Sequence, residues 1–230
     1  MDTTINPIYI VGGSKGGVGK SIVALALVDH LKRRNANIVL VETDTSNPDV
    51  MKAVHDEIEC AAFDLDEADG WIELVNFCDT HRDAVVIINT AARNQAGVAR
   101  YGATLASTLE ELSRQLVVFW VINRQRDSLE LLHGFSRTFP DALTHVVRNG
   151  YFGTPDKFTL YQTSELRKTI ETKGKSLDFP ELADRVADEL RGQRLSIRKA
   201  TETMHIGERA ELVRWRALCG TMFARVMVDG

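Results

Sequence analysis

The chain of 230 residues has few cysteines, no long apolar run and no excess of positive charge. Its three cysteines, Cys60, Cys78 and Cys219, are odd in number and far apart, which argues against a disulfide framework and predicts free thiols in a reducing cytoplasm. No apolar run approaches the about 18 residues of a membrane-spanning helix. The acidic start, Met1-Asp2, does not resemble a signal peptide. We therefore expect a cytoplasmic protein.

The net charge of −4 gives no general attraction to nucleic acid or to an anionic membrane. Any such binding would need a local patch or a partner protein. The six histidines show no metal-ligand spacing. What the chain does have is enough length and a hydrophobic content of 44%, which suit one α/β domain with a sizeable core.

Apolar strand-like segments alternate with helix-like segments along the chain. Candidate strands lie at 7–11, 37–41, 84–88, 116–122 and 143–148, with weaker ones at 60–65 and 176–178. Candidate helices lie at 20–34, 69–80, 98–113, 128–137, 163–172, 180–191 and 208–226. This alternation predicts an α/β fold, a doubly wound, mostly parallel sheet with helices on both faces. Ligands of such sheets bind beyond the carboxyl ends of the strands.

Residues 14–21, Ser-Lys-Gly-Gly-Val-Gly-Lys-Ser, lie between the first strand and the first helix. Glycines at this place let backbone N–H groups point at phosphate oxygens, and the helix N-terminus adds a favourable dipole. Lys20 would reach the β- and γ-phosphates and Ser21 would bind Mg²⁺. The predicted phosphate-binding residues are Ser14, Lys15, Gly16, Gly17, Val18, Gly19, Lys20, Ser21 and Ile22.

The second lysine of this run, Lys15, resembles the early lysine of the deviant Walker A loop in ParA/MinD-type P-loop ATPases. In that family the early lysine contacts the nucleotide bound by the other subunit. The resemblance implies that two chains form a homodimer around ATP and Mg²⁺, and that Lys15 and Lys20 act together on the phosphates. Phosphoryl transfer is catalysed mainly by positioning and charge neutralisation, so this arrangement is chemically reasonable.

Two further segments resemble the family with substitutions. Glu42 and Asp44 resemble its Asp-x-Asp pair, which implies that Asp44 orients the attacking water and that Glu42 makes an outer contact to Mg²⁺ or its waters; acids after a strand are also ordinary turn residues. Asn89 stands where the family's Walker B aspartate lies, and no acid adjoins it along the strand. An amide can hold a metal-bound water without adding charge, which predicts slow ATP hydrolysis.

The base would be read at the ends of the later strands. Asn149 matches the position at which relatives bind the adenine edge. Its amide can both donate and accept, which suits the adjacent donor and acceptor of adenine. Asn123 is the rival candidate. Pro180 resembles the proline that lines the adenine pocket, and it is also an ordinary first-turn proline of a helix.

The resemblance covers residues 6–190 and is most similar to small plasmid-encoded conjugal transfer and stability ATPases, TraL-like and StbB-like in type. It implies a switch that acts through a DNA-binding adaptor or a transfer-machinery protein. A nucleotide-binding scaffold with little hydrolysis and an ATP-dependent metabolic ligase of the same fold are the alternatives. An iron–sulphur carrier is disfavoured by the scattered cysteines.

Residues 1–190 are predicted to form the ATPase domain, and 191–230 a helical extension packed on it. Apolar residues of the extension recur at helical spacing: Leu212, Trp215, Cys219, Met222, Phe223 and Val226. Packing on the domain is the favoured interpretation, and a membrane-binding helix is the alternative. A basic cluster could contact DNA phosphates directly. It consists of Arg191, Arg194, Arg198 and Lys199.

Overall fold

A computed structural model describes residues 6–13 and 16–227. The strands are β1 (Ile8–Gly13), β2 (Ile38–Glu42), β3 (Glu59–Ala62), β4 (Val85–Asn89), β5 (Leu116–Ile122), β6 (Leu143–Asn149) and β7 (Ser176–Phe179). The α-helices are α1 (Lys20–Arg33), α2 (Asp49–Val54), α3 (Ala68–Thr80), α4 (Gln95–Tyr101), α5 (Ala103–Ala106), α6 (Asp127–Thr138), α7 (Thr159–Gln162), α8 (Glu165–Glu171), α9 (Asp184–Gly192), α10 (Ile197–Thr203) and α11 (Ile206–Ala224). Short 3-10 helices occur at Gly150–Phe152 and Pro155–Lys157.

The strands of the described residues form one parallel sheet in the order β3-β2-β4-β1-β5-β6-β7. The predicted doubly wound α/β fold is confirmed. All seven residues of β5 are buried, as expected for a strand covered on both faces. In the sheet, β2, β3 and β4 lie on one side of β1, whereas β5, β6 and β7 lie on its other side. This change of direction at β1 opens the carboxyl edge of the sheet for a ligand.

Alternate residues of each strand enter two separate cores, because successive side chains point to opposite faces of a sheet. Tyr9 and Val11 of β1 pack with α1, α2 and the last three helices. Ile8 and Ile10 pack with α3, α4 and α6 on the opposite face.

One predicted helix, 98–113, is wrong in its extent. The chain forms α4, turns at Gly102, forms α5 and then continues as turns from Ser107. The hydroxyls of Ser107 and Thr108 both donate to the carbonyl of Thr104, and such local bonds compete with regular helix. The predicted helix 163–172 corresponds to α8, which begins at Glu165 because Ser164 caps it by accepting from the Arg167 amide at 3.1 Å; the short helix α7 before it was not predicted.

The apolar face of α11 lies against the sheet and α1. Trp215 and Phe223 are completely buried, and Arg216 forms a bidentate ion pair with Asp29 of α1. The buried face is therefore occupied by core contacts and is not a lipid-binding surface. No described helix is long and apolar enough to cross a membrane. The division at residue 190 stays a prediction.

Candidate functional site

A cleft of about 640 Å³ opens at the carboxyl edge of the sheet. The start of α1, the loop after β2, the end of β4 and the segments after β6 and β7 form its walls. Many predicted site residues line it: Gly16, Gly17, Gly19, Lys20, Ser21, Ile22, Asp44, Asn89, Asn149 and Pro180. The fold therefore brings together residues that are up to about 160 positions apart in the chain.

The loop before α1 has the backbone of a phosphate cradle. Gly17 and Gly19 adopt φ angles of 81° and 100°, a region that favours glycine. Gly19 precedes the first residue of α1, and the first residues of that helix, whose N–H groups have no partner within the helix, line the cleft. Ser14 and Lys15 lie outside the described residues, and their roles stay predictions.

Lys20 is the basic residue of the phosphate loop that lines the cleft, and it is buried; Arg191 and Arg194 also line the cleft. Burial lowers the pKa of its ammonium group, and the carboxylates of Asp44 and Glu42 partly oppose that shift. A lysine at this position suits contact with phosphate.

Glu42 and Asn89 form a hydrogen-bonded pair across the sheet, because the parallel register places them opposite each other. The Asn89 Nδ2 donates to both carboxylate oxygens of Glu42, at 2.9 and 3.1 Å. Glu42 is completely buried, and burial raises its pKa to about 7 despite bonds from Asn89 and the Asp44 amide. No acid adjoins Asn89 along β4, as expected, and the neighbouring strand β2 supplies one instead.

The amide oxygen of Asn89 is buried and has no hydrogen-bond partner among the described residues. A buried acceptor without a partner is unfavourable in a dry site. Beside the Glu42 carboxylate, it offers an oxygen donor of the kind that Mg²⁺ prefers.

Asn149 supports the phosphate loop directly. Its Nδ2 donates to the Val18 carbonyl at 2.8 Å, and its Oδ1 accepts from the Tyr151 amide at 3.1 Å. A Cβ on Gly19 would lie 2.3 Å from the Asn149 Nδ2. The rival, Asn123, accepts from Ser128 and from the Gln125 amide at the start of α6.

Pro180 forms the far wall of the cleft, and α11 fixes it. The indole N–H of Trp215 donates to the Pro180 carbonyl at 2.8 Å. The Trp215 ring also lies perpendicular to that of Phe179, with ring centroids 5.5 Å apart.

The model of the family described as CobQ/CobB/MinD/ParA nucleotide binding domain matches residues 9–147. The chain belongs to this family. Protein MobD of Acidithiobacillus ferrooxidans is 57% identical over 210 residues, which are 91% of this chain and 92% of that protein. The predicted ParA/MinD-type identity is therefore confirmed.

Solved structures of the family have the same fold. The MinD cell division protein of Aquifex aeolicus superposes with a TM-score of 0.55 at 10% identity, covering 97% of this chain and 98% of its own. The cell division ATPase MinD of Pyrococcus furiosus gives 0.55 at 14% identity, with coverage of 94% and 99%.

Asp44 lies in a turn at the rim of the ParA/MinD-type cleft. Its Oδ1 accepts from the Ser46 hydroxyl at 2.9 Å and from the Asn47 amide at 3.1 Å. The turn chemistry expected from the sequence is thus present, and the carboxylate still lines the cleft.

The residues that hold this turn were not predicted from the sequence. Asp66, Arg93 and Asn94 connect the loops after β2, β3 and β4 through side-chain hydrogen bonds. An aspartate in an acidic loop and an arginine after a strand have no local pattern that distinguishes them from surface residues.

The basic cluster of α9, α10 and the loop between them is paired with acids. The contacts are Arg191–Asp188 at 3.2 Å, Arg194–Asp49 at 3.9 Å, Arg198–Glu57 at 3.0 Å and Lys199–Asp56 at 2.5 Å. Because each cation already faces a carboxylate, the cluster offers less positive potential to DNA than its sequence indicates.

Proposed function

We propose that this chain is an ATP-dependent, dimerising molecular switch with slow hydrolysis, which serves plasmid stability, positioning or conjugal transfer through a partner protein. The loop before α1 carries the proposal. Its two positive-φ glycines, the buried Lys20 and the start of a helix converge on one cleft. This combination suits a nucleotide polyphosphate better than a neutral metabolite.

In this proposal Lys20 and the loop amides bind the phosphates, and Asp44 orients the attacking water. Asn149 and Pro180 lie on the base side of the cleft, and Lys15 of each chain completes the site of the other. Ser21, Glu42 and Asn89 would hold Mg²⁺ or its waters; the unpartnered Asn89 oxygen and the adjacent carboxylate fit that role. The cation would neutralise phosphate charge.

Slow hydrolysis follows from the Glu42–Asn89 pair. Asn89, at the position that resembles the family's Walker B aspartate, adds no charge to a metal-bound water, and its hydrogen-bond partner Glu42 is completely buried. This observation also favours the second candidate, a nucleotide-binding scaffold with little hydrolysis. A rate of several per second in the isolated protein would contradict both.

The place in plasmid biology rests on the resemblance to small plasmid-encoded ATPases. A DNA-binding adaptor or transfer-machinery protein is the proposed partner, in the cytoplasm. Direct contact with DNA is less well supported than contact through a partner, because the basic cluster is paired with acids.

The test is molecular mass by light scattering, for wild type and Lys15→Ala, with ATP–Mg²⁺ and with ADP. We expect a dimer of wild type with ATP only, and a monomer of the variant in both nucleotides. Lys168→Ala is the matched control, because Lys168 is an exposed lysine of α8 paired with Glu165. A mass that does not depend on nucleotide would contradict the switch and favour the scaffold.

A further inference from the structure

Arg93 reaches from the loop after β4 to the loop after β2. Its Nη1 donates to the Ser46 hydroxyl at 2.8 Å, and its Nη2 donates to the Thr45 hydroxyl at 3.2 Å. One guanidinium thus bonds two consecutive residues of the 43–47 loop. A planar fork with several fixed donors suits this task in a way that a lysine does not.

Asp66, from the loop between β3 and α3, anchors Arg93. The Asp66 Oδ2 accepts from the Arg93 Nε at 3.0 Å, and its Oδ1 accepts from the Asn94 Nδ2 at 3.1 Å. One carboxylate therefore holds two neighbouring side chains, and each of them continues to the 43–47 loop. We name Asp66, Arg93 and Asn94 the Asp66 clamp.

The second arm of the clamp is buried. The Asn94 Oδ1 accepts from the Thr43 hydroxyl and, at 3.1 Å, from the Ala91 amide. Thr43 and Asn94 are both buried. Buried hydrogen bonds of this kind fix one arrangement, because breaking them leaves polar groups without partners.

The clamp ends at Asp44. The Ser46 hydroxyl that accepts from Arg93 donates to the Asp44 Oδ1 at 2.9 Å, and the Arg93 Nη1 lies 3.7 Å from the same oxygen. Both anchors of the 43–47 loop thus flank this carboxylate, at Thr43 on one side and at Thr45 and Ser46 on the other. Neither Asp66 nor Arg93 is among the residues that line the cleft.

We infer that Asp66 and Arg93 are positioning residues for Asp44, holding its carboxylate where hydrolysis needs it. The inference rests on the proposed function, in which Asp44 orients the attacking water. Small displacements of a catalytic group are costly in rate. Exposed ion pairs contribute little to folding stability, so breaking the Arg93–Asp66 pair changes the rate far more than the melting temperature.

The first experiment measures kcat and KM for ATP in Arg93→Ala, Asp66→Asn and the double variant. We expect kcat to fall about 10- to 100-fold in each single variant, with KM nearly unchanged. The double variant falls no further than the worse single variant, because both break one connection. Arg93→Lys keeps the charge without the fork and recovers only part of kcat.

Arg167→Ala is the matched control, since Arg167 bonds Glu171 at 3.1 Å on α8 with similar exposure. It should leave kcat unchanged. Additive losses in the double variant, a loss confined to KM, or full recovery by Arg93→Lys would each overturn the clamp.

A second readout needs no hydrolysis. The Asn47 amide donates to Asp44, so hydrogen exchange of residues 43–49 reports whether the loop is held. Arg93→Ala and Asp66→Asn should both raise that exchange, and Arg167→Ala should not. If wild type hydrolyses no ATP, the proposed function fails while exchange still decides the clamp. Unchanged exchange in Arg93→Ala would overturn it.

Discussion

Replacing Glu42 by Gln should stabilise the nucleotide-free protein at alkaline pH. The carboxyl is completely buried, and burial raises its pKa from 4.5 to about 7. Glutamine has nearly the same shape and cannot ionise. Its amide oxygen can still accept from the Asn89 side chain, so the pair keeps a hydrogen bond.

The magnitude follows from the pKa difference between the two states. Between pH 4.5 and about 7 the folded protein keeps the Glu42 proton that the unfolded chain has lost, so stability falls as pH rises through this window. At about 1.4 kcal/mol per pKa unit, the ionised carboxylate costs about 3 kcal/mol at pH 8. We therefore expect Glu42→Gln to match wild type near pH 4.5 and to exceed its free energy of unfolding by about 3 kcal/mol at pH 8.

Urea unfolding from pH 4.5 to 8.5, with EDTA and without nucleotide, measures this. The informative quantity is the difference between variant and wild type at each pH, because other groups also titrate in this range. Glu165→Gln is the control, since Glu165 is an exposed partner of Lys168 and its substitution should add no pH dependence. A difference that does not change with pH, or a variant less stable at pH 8, would refute the reasoning.

Three further predictions concern neighbouring sites. Asn89→Asp puts a second carboxylate beside Glu42, so the melting temperature at pH 8 should fall. Added Mg²⁺ should restore it, and no response to Mg²⁺ would contradict the proposed metal-binding role of this pair. Gly19→Ala should abolish nucleotide binding in calorimetry, because φ is 100° and the new methyl would clash with Asn149, whereas Gly134→Ala, with open space around it, should bind normally. Burial lowers the pKa of His145 to about 4, so protonation of this residue costs wild type about 3 kcal/mol of unfolding free energy between pH 6.5 and 4. In urea unfolding, His145→Asn should therefore lose less stability over this range. An equally steep loss in the variant would contradict the role of His145.

The sequence predicted the sheet well because its strands are short, continuous apolar runs. β5 is the clearest example, with the same bounds as the predicted 116–122. Helices were predicted less well where polar side chains end them. Ser107 and Ser164 bond to nearby backbone groups, and α2 and α10 are too short for a clear periodicity.

By itself the sequence determined the phosphate loop, since its glycines, lysine and helix start act within eight consecutive residues. It also determined the family. Only the tertiary structure decided how distant polar groups pair. The register of β2 and β4 joins Glu42 to Asn89 across 47 residues, and the end of β6 brings Asn149 to the loop across 131. These contacts depend on the order and connection of the strands, which no local sequence pattern encodes. Burial between the paired strands β2 and β4 then raises the pKa of Glu42.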